Sequence, residues 1–308
     1  MKTLPPSAAE QSLGLPESRW IDVDGPVHYR EWDGPADGPV SVLVHGLGGS
    51  LLNWALVAPG LAHRGRVLAL DLSGFGRTPR DGRAAGIGSS RRLLSGFIRA
   101  LGLGSVDLIG NSMGGVVALA QAAHEPASVR ALVLANAAFP PPGAAVLTVP
   151  PSVAIGFLAA ATRRAGPAIL QRRARHLGAE SLVWGTLQYC TGDPASVDPR
   201  LVAATIEAVA EHGDSRESAE AFAEASRSIV RAFLFPRRYR ALVRAIRTPG
   251  LVVHGAADPL VPVRNAWSAV RAHSNWDLVI LPGVGHLPMM EAPGRFLDLA
   301  LGWLAGPG

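Results

Sequence analysis

Short apolar runs alternate with amphipathic stretches along most of the chain. Strands buried on both faces of a parallel sheet typically have nearly continuous apolar sequences, as in VSVLV at 40–44, RVLAL at 66–70 and RALVLA at 130–135. Further strands are predicted at 27–32, 105–109, 250–254 and 277–281. Apolar residues at helical spacing predict helices at 53–63, 89–101, 113–124, 264–273 and 291–304. This alternation predicts an α/β fold whose parallel strands are joined by right-handed crossovers.

The middle of the chain has a different pattern. Residues 139–237, called the insertion below, contain no convincing strand, and stretches such as 201–211 and 217–235 have apolar residues at three- and four-residue spacing. We therefore predict a helical insertion within an α/β core made of residues 19–138 and 238–308. Residues 1–18 are predicted to be a mobile tail.

Composition limits the classes of protein that the chain can form. It has 308 residues, of which 48% are hydrophobic and 17% charged, so a large buried core is possible. Residues 131–162 contain no charge, but prolines at 140–142 and 150–151 interrupt this run. A membrane span needs about 20 apolar residues, so none is predicted. The N-terminus lacks the apolar core of a signal peptide, and we expect a cytoplasmic protein.

Positive charge is concentrated in the middle of the chain. The net charge is +5, and residues 139–247 hold 14 of the 29 basic and 9 of the 24 acidic residues, which leaves the rest neutral. A basic surface can bind nucleic acid, but its arginines are not interleaved with aromatic residues, and no nucleic-acid-binding motif is present. We expect no nucleic-acid partner. The single cysteine, Cys190, excludes an intramolecular disulfide and is expected to be a small buried residue.

The strongest chemical signal is the segment GNSMGG at 110–115, between a predicted strand and a predicted helix. Gly110 and Gly114 allow close backbone approach, so that Ser112 can sit in a strained turn with its hydroxyl projecting. Downstream, Asp258 and His286 each follow a predicted strand. An imidazole can take the proton of an attacking serine, and a carboxylate can fix the imidazole tautomer.

Each of these residues also has a structural explanation. Ser112 could cap its helix, Asp258 could form a turn with Pro259, and His286 could be an ordinary loop histidine. Their occurrence together, in this order and each after a strand, favours a catalytic triad.

In these motifs the chain resembles the α/β-hydrolase family, over about residues 20–138 and 238–304. The family has its triad in the order serine, acid, histidine. The resemblance implies a mostly parallel eight-stranded sheet flanked by helices, with the insertion as a helical cap after strand 6. The segment HGLG at 45–48 resembles the family's oxyanion loop, which implies that the backbone N–H groups of Leu47 and Met113 stabilise an oxyanion. By the same resemblance Asp71 shapes a loop, and we expect structural roles for its side chain and for His45 and His254.

A serine at the nucleophile position disfavours the dehalogenase and epoxide hydrolase branches of the family, which use a carboxylate. We therefore predict a serine hydrolase of carboxylic esters with an apolar acyl or alcohol part, acting through an acyl-enzyme. Candidate pocket residues are Trp54, Asn111, Phe139, Phe157 and Leu287.

Several alternatives stay open. The GNSMGG segment resembles that of the meta-cleavage-product hydrolases, which cleave carbon–carbon bonds and in which the asparagine lines the site. Leu287 stands where those enzymes commonly have tryptophan, which weakens this alternative. Thioesterases, acyltransferases and perhydrolases share the triad, and a ligand receptor could keep the scaffold without turnover.

No nucleotide-binding, phosphate-binding or zinc-binding motif occurs, so no cofactor and no metal are expected. The expected partner is a small apolar ester. The oligomeric state stays open, with a homodimer through the insertion as one possibility.

Overall fold

The computed structural model of the protein describes residues 3–142 and 151–306. A nine-stranded sheet forms its centre. The strands are β1 (Thr3–Leu4), β2 (Ser18–Asp22), β3 (Pro26–Trp32), β4 (Ser41–Val44), β5 (Val67–Leu70), β6 (Val106–Asn111), β7 (Val129–Ala135), β8 (Gly250–Gly255) and β9 (Trp276–Leu281). Their spatial order is β1-β2-β3-β5-β4-β6-β7-β8-β9. Strands β5, β4, β6, β7, β8 and β9 are parallel and β1 to β3 are antiparallel, which confirms the mostly parallel eight-stranded sheet, extended by the two-residue β1.

The central strands are buried on both faces. Successive residues of β4 alternate between two apolar clusters, with Val42 and Val44 in one and Leu43 in the other. Parallel pairing aligns Val44 with Gly110 and Leu43 with Ile109. The carboxyl ends of these strands therefore meet at one edge of the sheet, where the loops that follow them lie close together.

Helices flank this sheet. They are α1 (Ala8–Ser12), α2 (Ala58–Leu61), α3 (Ile87–Ala100), α4 (Met113–His124), α10 (Val263–Val270), α11 (Pro288–Glu291) and α12 (Pro293–Ala305). The predicted helix at 53–63 is wrong: a 3-10 turn at Leu51–Trp54 precedes a short α2. Ser50 and Asn53 close a capping box around that turn, and a separate helix then begins at Ala58, with Pro59 in its first turn. Similarly, the helix predicted at 291–304 is divided between α11 and α12.

The regular secondary structure in the described part of the segment between β7 and β8 consists of helices. Its helices are α5 (Pro151–Ala160), α6 (Ala165–Cys190), α7 (Pro199–His212), α8 (Arg216–Leu234) and α9 (Pro236–Ala245). Helix α8 packs against α5 and α6 and contacts the loop after β4 through Phe222. The chain just after α6 packs against the loop after β9. Within residues 3–142 and 151–306, no helix combines the length and hydrophobicity needed to cross a bilayer.

The N-terminal segment is folded onto the sheet rather than forming the predicted mobile tail. The fully buried Arg30 pairs with Glu10 of α1 at 2.7 Å, and Glu10 is itself buried. The Ser7 hydroxyl donates to Glu207 of α7 at 2.6 Å. Because a buried guanidinium without an anion is very costly, Glu10 fixes this segment in place. The apolar pattern could not reveal a contact based on charge between distant residues.

Candidate active site

Ser112 occupies a strained turn between β6 and α4. Its backbone dihedrals are φ 51° and ψ −116°, a region that residues with a side chain rarely adopt. Glycines on both sides make the turn possible, because a Cβ on Gly114 would overlap the carbonyl oxygen of Val44, and one on Gly110 would stand 2.6 Å from that of Gly114. The Ser112 side chain makes no capping hydrogen bond to α4, so the helix-cap explanation does not apply.

The segment that holds Ser112 is tied to the histidine loop. The side-chain amide of Asn111 donates to the carbonyl oxygens of His286 and Ala135, both at 3.1 Å. The Ser112 hydroxyl is half-buried and makes no hydrogen bond with another described residue. In free enzymes the serine–histidine bond often tightens only when substrate binds. The structure therefore brings the two residues' segments together, with the hydroxyl available to a ligand.

His286 and Asp258 form a direct pair. Nδ1 of His286 lies 2.8 Å from Oδ2 of Asp258, and both side chains are buried. A carboxylate can only accept a hydrogen bond, so the proton of the neutral ring resides on Nδ1. Nε2 is then unprotonated and can act as a base.

Four donors surround the Asp258 carboxylate. Besides His286, the backbone N–H groups of Leu260 and Val261 donate to Oδ1 at 2.7 and 3.0 Å, and the Asn136 amide donates to Oδ2 at 2.6 Å. Burial alone would raise the pKa of Asp258, but His286 and the Asn136 amide outweigh it, so its pKa lies below the ordinary value. Asp258 is therefore held in its charged form.

Asn136 has a role that its sequence position did not reveal. It follows β7 directly, has φ 45°, and accepts the N–H of Gly255 at 3.2 Å while donating to Asp258 and to the carbonyl of Gly285 at 3.1 Å. It links the acid loop to the histidine loop. The only sequence signal for this role is a polar residue directly after a buried strand.

The predicted oxyanion loop lies beside Ser112. A Cβ on Gly46 would stand 3.1 Å from the Cβ of Ser112. The N–H groups of Leu47 and Met113 make no turn, loop or side-chain hydrogen bond within the described residues, and Met113 begins α4, where an N–H has no intrahelical acceptor. The N–H of Leu47 in this loop and the N–H of Met113 at the start of α4 are thus both available as donors.

His45 shapes that loop from within. Its Nδ1 donates to the carbonyl of Gly46 at 2.7 Å, and its Nε2 accepts the N–H of Leu72 at 3.0 Å. Burial lowers the pKa of His45, which keeps the ring neutral. The side chain of His45 therefore holds the backbone of this loop in place.

Asp71 and His254 are also engaged with the backbone. Asp71 accepts the N–H of Leu51 at 2.7 Å and pairs with His28 at 2.6 Å. His254 is fully buried, lies 2.9 Å from the carbonyl of Val261, and has a pKa lowered by burial. Both side chains support loops around the site.

The candidate pocket residues do not form one surface. Trp54 is fully buried with its ring 6.2 Å from that of Phe296, and Phe139 is fully buried 6.2 Å from Trp276, in the other apolar cluster. The amide of Asn111 is engaged with carbonyl oxygens, as described above. The side chains of Trp54 and Phe139 therefore pack in the core, and the side chain of Asn111 holds two backbone carbonyl groups.

Of the other two candidates, Phe157 belongs to the insertion and Leu287 is next to the candidate catalytic histidine. Phe157 of α5 is half-buried against the core, and Leu287 directly follows His286. Phe222 was not identified from sequence, yet its ring lies against Gly48, where a Cβ would stand 2.9 Å from it. It has no local signal, because an aromatic residue on an amphipathic helix is ordinarily a packing residue.

Cys190 is not a second nucleophile. Cys190 is half-buried, and burial of its thiol, together with the charges of Asp258 and Glu291, raises the pKa of the thiol to about 12. Within the described ranges, no three His, Cys, Asp or Glu side chains are arranged to hold a metal ion.

Comparison with known proteins gives concordant results. A family model of the alpha/beta hydrolase fold matches residues 39–293. A 2-hydroxy-6-oxo-6-(2'-aminophenyl)hexa-2,4-dienoic acid hydrolase from Metapseudomonas resinovorans is 30% identical, over 96% of this chain and 94% of its own. Among solved structures, an esterase from Thermogutta terrifontis matches with TM-score 0.69, 23% identity and coverage of 94% and 98%. A haloalkane dehalogenase from Bradyrhizobium elkani matches with TM-score 0.78, 21% identity and the same coverage. The two structural likenesses concern the fold alone.

Proposed function

Because the chain belongs to the α/β-hydrolase fold family, we propose that it is a serine hydrolase that cleaves carboxylic esters with an apolar acyl or alcohol part. The observation that carries this proposal is the hydrogen bond between Nδ1 of His286 and Asp258, in a structure where Asn111 ties the strained turn of Ser112 to the carbonyl of His286. The Ser112 hydroxyl has no hydrogen-bond partner among the described residues, and the available N–H groups of Leu47 and Met113 suit a tetrahedral intermediate.

The chemistry follows from these groups. As the Ser112 oxygen attacks the ester carbonyl, Nε2 of His286 takes the hydroxyl proton, and the carbonyl oxygen becomes an oxyanion. Collapse of this intermediate breaks the carbon–oxygen bond, and His286 returns the proton to the departing alcohol. Water then attacks the acyl-enzyme by the same route and releases the acid, while Asp258 remains charged.

The apolar character of the substrate is supported by the insertion. Phe222 lies against the loop that would hold the oxyanion, and Phe157 is half-buried on the same helical layer. Neither side chain can hydrogen-bond to a charged acyl group. An apolar acyl or alcohol part is therefore the better match.

A carbon–carbon bond hydrolase is the second candidate. The relative from Metapseudomonas resinovorans favours it, since its name describes a hydrolase of a dienoic acid. The position of Asn111 counts against it, because both contacts of its amide go to main-chain carbonyls. Leu287 after the histidine is a second difference from the pattern expected of that branch.

The test is a substrate panel with purified protein. We expect release of p-nitrophenol from p-nitrophenyl esters of graded acyl length and little cleavage of a 2-hydroxy-6-oxo-dienoate. Ser112→Ala should abolish ester hydrolysis with an unchanged circular dichroism spectrum and Tm, whereas Ser90→Ala, a buried serine of α3, should keep it. Faster cleavage of the dienoate would favour the second candidate. Binding of esters without turnover would favour a receptor, and activity in Ser112→Ala would exclude this serine as the nucleophile.

A further inference from the structure

Glu291, at the end of α11, is a buried carboxylate with an unusual set of partners. Its Oε1 accepts the N–H of Leu287 at 3.0 Å. Its Oε2 accepts the N–H groups of Gly285 at 2.8 Å and Gly192 at 2.7 Å. The residue is only 9% exposed. Three backbone donors from two distant parts of the chain thus converge on one side chain.

Among residues 3–142 and 151–306, no cation pairs with this carboxylate. Glu291 takes part in no salt bridge with any residue in the described parts of the chain. A buried carboxylate without a counter-ion is stabilised only if several donors replace its hydration. The free-energy cost of burying the Glu291 carboxylate is therefore offset by hydrogen bonds from the three N–H groups. This compensation requires all three groups to stay in place together.

The donors enclose the candidate catalytic histidine. Gly285 and Leu287 flank His286, and the N–H of His286 itself donates to the carbonyl of Cys190, the last residue of α6, at 2.6 Å. All three consecutive N–H groups of the loop are thus held, two by Glu291 and one by the insertion. From the other side, Asn111 holds the carbonyl of His286.

The chain just after α6, in the middle of the insertion, packs against the same loop. A Cβ on Gly192 would overlap the carbonyl oxygen of Gly283, and one on Gly285 would stand 2.5 Å from that of Cys190. Gly192 is also the third donor to Glu291. The histidine loop and the chain after α6 therefore form one contact, with the Glu291 carboxylate at its centre.

We propose that Glu291 is a positioning residue that fastens the His286 loop to the insertion, so that the imidazole takes its catalytic orientation only while the insertion is docked. This inference rests on the proposed function, because it gives His286 the role of the base. Glu291 does not touch the substrate. It acts through the backbone on either side of His286, and an error of about 1 Å in such positioning can lower a rate about 100-fold.

The experiment compares Glu291→Gln and Glu291→Ala with a control, Glu125→Gln. Glutamine keeps the shape of the side chain, but its NH2 group meets backbone donors. Glu125 also accepts side-chain hydrogen bonds, from Ser95 and Arg91, but lies just beyond the far end of α4 from Ser112. Three quantities are measured on samples verified as folded by circular dichroism: kcat and KM for p-nitrophenyl butyrate, and the rate constant of Ser112 labelling by a fluorophosphonate.

We expect kcat to fall about tenfold in Glu291→Gln and about 100-fold in Glu291→Ala. The KM should stay within about twofold, and the labelling rate should fall by the same factors as kcat, because both need the imidazole. A purely structural role would lower the apparent kcat and the fraction of protein that is labelled, but the labelling rate constant of the folded molecules would stay at the wild-type value. Glu125→Gln should match the wild type in all three quantities.

Other results would overturn the proposal. Folded Glu291 variants with kcat and labelling within about twofold of wild type would show that the loop needs no such fastening. Loss of folding in both variants would make Glu291 a folding residue only. If only Glu291→Ala fails to fold, the kcat and the labelling rate of Glu291→Gln test the proposal. Failure of the wild type to react with the fluorophosphonate counts against the proposed function itself, whereas equal labelling of wild type and variants counts against Glu291 alone.

Discussion

The sheet core and the helical insertion differ in the fraction of helical residues that they bury. Helix α4, which carries Ser112 at its start, has ten of its twelve residues buried. Helix α6 of the insertion has 26 residues and only four of these are buried. The core packs α4 between strands and other helices, whereas most of the surface of α6 faces outward.

This difference separates the two parts in function as well. The proposed triad and oxyanion donors all belong to the core, on loops fixed by main-chain hydrogen bonds. The insertion reaches them at few places, such as Phe222 on Gly48 and Gly192 on Glu291. We infer that the core determines the chemistry, and that the insertion determines which substrate meets it.

The largest expected effect concerns the chemistry of the core. Asp258→Asn should lower kcat about 10⁴-fold, because an amide no longer fixes the histidine tautomer. Asp107 is the matched control: it is fully buried at the opposite end of β6 from Ser112 and paired with Arg64 at 2.7 Å. Asp107→Asn should lower Tm but leave kcat of the folded protein unchanged. A similar loss of kcat in both variants would contradict the assignment of Asp258.

The second prediction compares packing in the two parts. Leu43→Ala, at a fully buried position of β4, should reduce the free energy of unfolding by about 2–5 kcal/mol. Ile169→Ala, at a position of α6 that is 52% exposed, should change it by less than about 0.5 kcal/mol. Urea denaturation measures both. Equal destabilisation would mean that the outer surface of α6 is covered by a partner.

The third prediction tests whether the insertion selects the substrate. Phe222→Ala should raise KM about three- to tenfold for long-chain p-nitrophenyl esters, since apolar contact area is lost, with little change in kcat. Phe235, the 55% exposed residue that ends α8, provides the control. Phe235→Ala should leave both constants unchanged. A fall in kcat at constant KM would assign Phe222 to the chemistry instead.

The smallest expected effect is in acid stability. The pKa of Asp258 is lowered in the folded protein, chiefly because His286 and Asn136 outweigh the effect of burial. Its stabilising contribution is therefore present above the unfolded pKa of about 4 and is lost as pH falls through the lower folded pKa. Between pH 5 and pH 3, Tm should fall less in Asp258→Asn than in the wild type. An equal fall in the two proteins would contradict the lowered pKa.

Local patterns along the chain determined the fold and the candidate site. Short apolar or β-rich runs located seven of the nine strands, and the helix predicted at 113–124 matches α4 residue for residue. Ser112 was recognisable because the strained turn needs glycines at fixed neighbouring positions, and Asp258 and His286 because each follows a strand of a parallel sheet. These features depend on residues close together in sequence, so sequence was sufficient.

The tertiary structure alone decided how the site is held. Four contacts join residues that are far apart in the chain: Asn136 with Asp258, Glu291 with the histidine loop, Phe222 with Gly48, and Glu10 with Arg30. No periodicity or spacing marks such pairs, because each forms only when separate elements pack together and leave a polar or apolar group in need of a partner. The same reason explains why Trp54 and Phe139, plausible pocket residues by type and position, are buried in separate clusters of the core.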